Sequence, residues 1–91
     1  MRQIPKHPDY YVTKWGDVWS LNRKKFLEHD VNAQGYHKVN LSETYQVHNQ
    51  RVHKLVAQLY LSNPNKLQDV IHLDGDKSNN HVDNLQWVED K

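Results

Sequence analysis

One apolar stripe constrains the fold of this chain more than any other feature, because it marks the one strong helix in the sequence. The stripe lies in residues 52–60, at the spacing i, i+3, i+4 and i+7 of a single helix face, and consists of Val52, Leu55, Val56 and Leu59. Pro64 follows soon after and cannot continue a helix. The sequence therefore predicts one central helix, with other elements packed around it.

Short segments of alternating polar and apolar residues, typical of half-buried strands, lie on both sides of that helix. The predicted strands are residues 10–12, 17–21, 25–27, 36–41, 45–52, 69–73 and 85–88. Gly16 supplies positive φ for a turn at residues 14–17, and a turn at residues 42–44 joins two of the strands into a hairpin. The predicted fold class is α+β: a small β-rich single domain, residues 1–91, with a β-rich module over 1–50 and the helix with a C-terminal motif over 51–91.

Length and composition limit the size of the core and indicate the cellular compartment of the protein. A chain of 91 residues buries a thin core, and we expect its three Trp, five Tyr and one Phe to supply much of the core volume. The chain has no cysteine, which excludes disulfides and thiolate zinc sites. No segment has the length of a membrane span and the first residues lack an apolar signal core, so we expect a cytoplasmic protein without membrane contact.

Overall charge does not indicate a nucleic-acid-binding protein, since 12 basic residues nearly balance 11 acidic ones and the net charge is +1. Local distribution still leaves candidate binding residues, which are Arg23, Lys24, Lys25, Arg51 and Lys54. The alternative for the Arg-Lys-Lys run is a solvated turn. Trp15, at the predicted turn apex of an aromatic hairpin with Tyr10, Tyr11 and Trp19, is either an exposed interface anchor or a cap on the core.

Four segments, in order, resemble the HNH homing-endonuclease-like family of phages and mobile introns. The segment 10–21 is similar to the module Y-x-V-S-N-x-G-x-V-x-S-L, with Thr13 in place of its Ser and Lys14 in place of its Asn. The other three resemble G-Y-x-x-V-x-L, V-H-R-L-V-A…N-P and N-H-I-D-G-N-K-x-N-N…E-N-L-E-W-V, and they are residues 35–41, 52–64 and 71–88. Each match alone is weak, but four in the correct order are specific.

The resemblance implies a ββα-metal site that cuts a phosphodiester bond with one divalent cation. His72 matches the general base, a role that suits imidazole near neutral pH. Asn84 matches the asparagine that orients this histidine. Asp74 and Gly75 match the turn, and the doublet at residues 79–80 matches asparagines that brace the loop or simply form turns.

Two departures from the family pattern bear on catalysis. The residue before the histidine is a metal ligand in the family, usually Asp or Asn, whereas Ile71 has no donor atom. A second family ligand comes from a helix a few residues past the tryptophan, and only four residues follow Trp87 here, so we expect a truncated motif. Asp69 and Asp74 are weak substitute ligands, and Asp76, Glu89 and Asp90 are more remote ones.

Three functions remain open from the sequence. The first is a catalytically degenerate HNH-like protein without a cofactor, which binds duplex DNA or inhibits a host protein in a bacterial cytoplasm. The second is an active DNA-nicking homing endonuclease that uses Mg²⁺ or Mn²⁺ at a shifted or dimer-completed site. The third is a small fold unrelated to nucleic acid. A homo-oligomer is compatible with each.

Overall fold

The computed structural model describes residues 1–42 and 47–89, which form nine strands and one helix. The strands are β1 Arg2–Ile4, β2 His7–Val12, β3 Val18–Ser20, β4 Lys25–Phe26, β5 Asp30–Val31, β6 His37–Ser42, β7 Val47–Arg51, β8 Asp69–His72 and β9 Leu85–Val88. The helix α1 spans Val52–Tyr60, and a 3-10 turn at Val82–Asn84 precedes β9. The α+β class with one central helix is confirmed. Within the described residues no helix is long and apolar enough to cross a membrane.

The strands form three antiparallel sheets that follow chain order: β1-β2-β3-β4, β5-β6-β7 and β8-β9. The pairing of β6 with β7 confirms the predicted hairpin, while its predicted turn and the start of its second strand fall partly on residues 43–46, outside the described residues. The sequence did not predict β1 and β5. The residues around β1 and β5 show no extended alternation of polar and apolar side chains, whereas residues 17–21 around the equally short β3 do.

The core is aliphatic, which corrects the expectation that aromatic rings would fill it. Its buried residues in the described part of the chain are Ile4, Tyr10, Val12, Val18, Val39, Leu41, Val52, Leu55, Val56, Ala57, Val70 and Leu85. Tyr10 is the one aromatic residue among them, and its hydroxyl bonds the backbone of Ser42. The other large rings lie at the edge of this cluster or on the surface. Trp87 packs against the cluster, and its Nε1 is buried without a hydrogen-bond partner within residues 1–42 and 47–89.

The turn between β2 and β3 docks onto the loop between β8 and β9, which connects the N-terminal module to the C-terminal motif. The Val82 amide donates to the Lys14 carbonyl at 2.8 Å, and the Trp15 ring meets the His81 ring edge-on at 5.5 Å. Gly16 has φ +88°, and a Cβ added there would lie 2.8 Å from the Asn80 Cβ. A glycine is therefore required at position 16 both for its backbone conformation and for close packing.

We predict that Gly16→Ala lowers the free energy of unfolding by about 1–3 kcal/mol more than Gly75→Ala does. Both glycines have positive φ, so both variants carry the left-handed backbone cost, but an added Cβ at Gly75 meets nothing within 4 Å. Urea unfolding of the two variants measures the difference. Equal losses would show that the contact between the turn and the loop does not constrain position 16.

Candidate active site

The hairpin of β8 and β9 holds His72 at the end of a strand. His72 pairs with Leu85 and Ile71 with Gln86, and the Leu73 amide donates to the Asn84 carbonyl at 2.7 Å where the loop begins. Alternation along β8 turns Val70 into the core and leaves Ile71 42% exposed. His72 points back toward the protein and is partly buried.

Asn84 braces the loop that follows His72. Its side-chain oxygen accepts from the Asp74 amide at 3.1 Å, and its side-chain nitrogen donates to Asp74 Oδ1 and to the Asn79 carbonyl, each at 2.9 Å. Within the described residues the Asn84 side chain bonds the loop and not the His72 ring, so its role in orienting His72 stays a prediction. The amide group of Asn84 is engaged by the backbone and carboxylate of the loop, as Asx-type side chains commonly are in tight turns.

Asn80 is the residue that contacts the histidine. Its Oδ1 lies 2.8 Å from His72 Nε2, and its side chain is buried to 3% exposure beneath Gly16. An amide oxygen only accepts, so with the Asn80 amide in this orientation a neutral His72 ring donates from Nε2–H and carries its lone pair on Nδ1. The sequence shows Asn80 as one of two adjacent asparagines, and nothing in the residue type distinguishes the buried one from the exposed one.

Asn79 and Asp74 confirm the predicted bracing of the loop. Asn79 Nδ2 donates to Asp74 Oδ2 at 3.0 Å, and the Asp76 amide donates to Asp74 Oδ1 at 2.8 Å. The bond from Asn79, with those from Asp76 and Asn84, lowers the pKa of the Asp74 carboxyl. The Ser78 hydroxyl and amide similarly lower the pKa of Asp76. Both carboxylates therefore stay ionised as acceptors within the loop.

A second histidine, His53 of α1, lies against His72 with ring centroids 5.0 Å apart. His53 is 2% exposed, and its Nδ1 has no hydrogen-bond partner within residues 1–42 and 47–89. Burial lowers the pKa of the His53 imidazole to about 4, and His72, Lys54 and Arg51 act in the same direction while Asp69 opposes them. His53 is thus a neutral ring packed behind His72, and motif spacing alone did not single it out.

The candidate binding residues separate into two groups. Arg23, Lys24 and Lys25 are exposed at the β3–β4 end of the first sheet. Arg51 and Lys54 flank His53 at the start of α1, beside the candidate base. Trp15 is 67% exposed and contacts His81.

The side chains around His72 do not fit a divalent cation. Ile71 offers only hydrocarbon. The Asp74 carboxylate accepts three hydrogen bonds within the loop, two at Oδ1 and one at Oδ2, which orient it toward the loop backbone and Asn side chains. Asp69 Oδ1 accepts from the Val70 amide at 2.9 Å. In the described ranges, 1–42 and 47–89, no group of three or more His, Cys, Asp or Glu side chains could hold a metal ion; Asp90 lies outside them.

Comparison with known proteins bears out the resemblance of the sequence motifs. The chain is 39% identical over 89 residues to an uncharacterized HNH endonuclease, L245, of Acanthamoeba polyphaga mimivirus, a match covering 97% of this chain and 27% of that protein. It is 35% identical over 82 residues to the DNA endonuclease I-HmuI of Bacillus phage SP01, covering 90% of this chain and 47% of that protein. No family model matches the chain.

The fold is also that of the solved HNH homing endonuclease I-HmuI, in a structure that describes DNA binding and cleavage by that protein. The two superpose with a TM-score of 0.89 at 33% identity, over 97% of this chain and 51% of that one. The chain is therefore HNH homing-endonuclease-like in both sequence and fold. It spans from about a quarter to about half the length of these relatives.

We predict that His53 makes stability depend on pH between about 6.5, the ordinary histidine pKa, and its folded value of about 4. Above this window the ring is neutral in both states and its contribution is complete. As pH falls through the window, the unfolded chain takes up the proton more readily, and the free energy of unfolding decreases.

The measurement is urea unfolding from pH 7 to pH 4 for wild type and His53→Gln. The variant should lose less stability on acidification, whatever its stability at pH 7. His81→Gln, which replaces a histidine outside the surroundings of His53, serves as the control and should keep the wild-type slope. The same slope in His53→Gln as in wild type would contradict a neutral, buried His53.

Proposed function

We propose that this chain is a DNA-binding HNH-type domain with weak or no nuclease activity. The observation that carries the proposal is Ile71, a hydrocarbon side chain that stands immediately before the candidate base His72. Phosphodiester cleavage depends on electrostatic stabilisation of developing charge, which the family obtains from a cation. An imidazole by itself supplies about 10²–10⁴-fold acceleration, which is far below what DNA hydrolysis requires.

Retained binding is supported by the cations near His72. Arg51 and Lys54 lie at the start of α1, and Lys77 lies on the loop that Asp74 and Asn84 brace. Positive side chains around a shallow site suit the phosphates of a nucleic-acid backbone. The related I-HmuI binds and cleaves DNA, and we carry the binding over to this chain. The DNA of a bacterial host or its phage would place the protein in the cytoplasm.

A second candidate function is an active Mg²⁺- or Mn²⁺-dependent nicking endonuclease. The contact between Asn80 and His72 favours it, because this contact leaves the Nδ1 lone pair available to accept a proton from water. On this hypothesis, a metal ligand comes from outside the residues around His72. Inhibition of a host protein is the function that remains if the protein neither cuts nor binds DNA.

A plasmid-nicking assay with Mg²⁺ or Mn²⁺ distinguishes a DNA-binding domain with weak or no nuclease activity from an active nicking endonuclease. We expect wild type and His72→Ala to leave supercoiled plasmid equally intact. We expect Ile71→Asp to gain metal-dependent nicking when the chain is also extended by the C-terminal helix of the family, since the two changes together restore both hard oxygen donors. Ile71→Ala is the matched control, because it removes the same apolar side chain without adding a donor.

Nicking by wild type that EDTA and His72→Ala both abolish would contradict the proposal and establish the active enzyme. DNA binding is tested with the same preparations by the anisotropy of a labelled duplex. Absence of binding at low salt would refute the DNA-binding part and favour a protein target.

A further inference from the structure

The Tyr36 ring, which precedes β6, collects charged and aromatic side chains from three parts of the chain. Lys77 Nζ lies 4.5 Å and Arg51 Cζ 5.3 Å from its centroid. The His53 ring stacks on it at 5.2 Å with an interplanar angle of 25°, and the His72 centroid is 6.1 Å away. We call Tyr36, Arg51 and Lys77 the Tyr36 cluster.

The geometry of the cluster is fixed from several directions. Lys77 Nζ also donates to the Gln34 carbonyl at 2.7 Å, which ties the β8–β9 loop to the loop before β6. Arg51 is held at the junction of β7 and α1. Each cation is attracted to the negative face of the Tyr36 ring, which stabilises these positions.

The two cations near the Tyr36 ring repel each other, so binding of an anion between them is electrostatically favourable. Within residues 1–42 and 47–89, neither Arg51 nor Lys77 forms an ion pair with a carboxylate. Arg51 is exposed and Lys77 partly exposed, so both remain accessible to a ligand. A guanidinium and an ammonium together match a phosphate, which has several acceptor oxygens.

We propose that the Tyr36 cluster is a phosphate-binding site that holds one or two backbone phosphates of DNA beside His72. This inference rests on the proposed function, and it names the residues that make the DNA contact. The site reads no bases, since cations on the phosphate backbone position a protein without conveying sequence. Phosphate binding at this site requires no metal, because Arg51 and Lys77 supply the positive charge.

The test is the salt dependence of duplex affinity for wild type and for Arg51→Gln/Lys77→Gln, measured by fluorescence anisotropy. Each lost phosphate contact reduces the slope of log K against log salt by about 0.9, so we expect the double variant to be shallower by about 0.9 if the cluster holds one phosphate and by about 1.8 if it holds two. The control variant Lys6→Gln/Lys66→Gln also removes two positive charges, at positions outside the Tyr36 cluster, and should keep the wild-type slope. Tyr36→Leu should weaken binding, whereas Tyr36→Phe, which keeps the ring, should not.

Titration with inorganic phosphate at constant ionic strength, followed by backbone NMR, supplies the second arm. We expect shifts at the cluster in wild type and none in the Arg51→Gln/Lys77→Gln variant. DNA binding by wild type with an unchanged slope in that variant would refute the site and leave the proposed function intact. No DNA binding together with cluster-specific phosphate shifts would refute the proposed function and retain the site for free phosphate. No response to either ligand would refute both.

Discussion

The reciprocal hydrogen bonds between Asp74 and Asn84 are the constraint on which the candidate site depends. The Asp74 amide donates to the Asn84 side chain, and the Asn84 side chain donates to the Asp74 carboxylate. This closes the loop across the open end of a two-stranded sheet, where the backbone alone provides few bonds. The same bonds engage the Asp74 carboxylate, which lies two residues after His72 in the sequence. The bonds that stabilise the loop therefore also fix the orientation of a carboxylate that the sequence offered as a weak substitute metal ligand.

The β8–β9 loop is also stabilised by the N-terminal module, whose β2–β3 turn packs against it. Gly16 allows the β2–β3 turn to approach Asn80, and Asn80 in turn fixes the edge of the His72 ring. The helix contributes from the other side through His53, a neutral ring in contact with His72. Segments distant in sequence thus set the position of one imidazole. This arrangement explains why the resemblance to the family extends along nearly the whole chain rather than only the C-terminal motif.

The sequence was sufficient for elements that carry a local pattern. The stripe beginning at Val52 predicted α1 with the bounds observed, and the alternation around Val39 predicted a strand of the second sheet. It failed where residue type did not determine environment. Asn79 and Asn80 are adjacent and chemically identical, yet only Asn80 is buried against the histidine, because a turn of the distant N-terminal module covers it. Likewise Tyr10 lies in the core while Trp15 is exposed, a difference set by tertiary packing and not by aromatic character.

Position 71 separates two properties that the family combines. The scaffold keeps an oriented imidazole and cations on an aromatic ring, features that need no metal. Catalysis needs a ligand for a cation as well, and an isoleucine side chain supplies none. An isoleucine at this strand position is compatible with the fold, since Ile71 faces outward while Val70 occupies the core face of β8.

The most direct test of this account is a titration of the protein with Mn²⁺, followed by paramagnetic broadening of backbone amide NMR signals. The account predicts that, at stoichiometric Mn²⁺, the signals of residues 69–73 broaden no more than signals elsewhere in the chain. Selective broadening centred on Ile71 and His72 would show a cation bound beside the imidazole and would contradict the account.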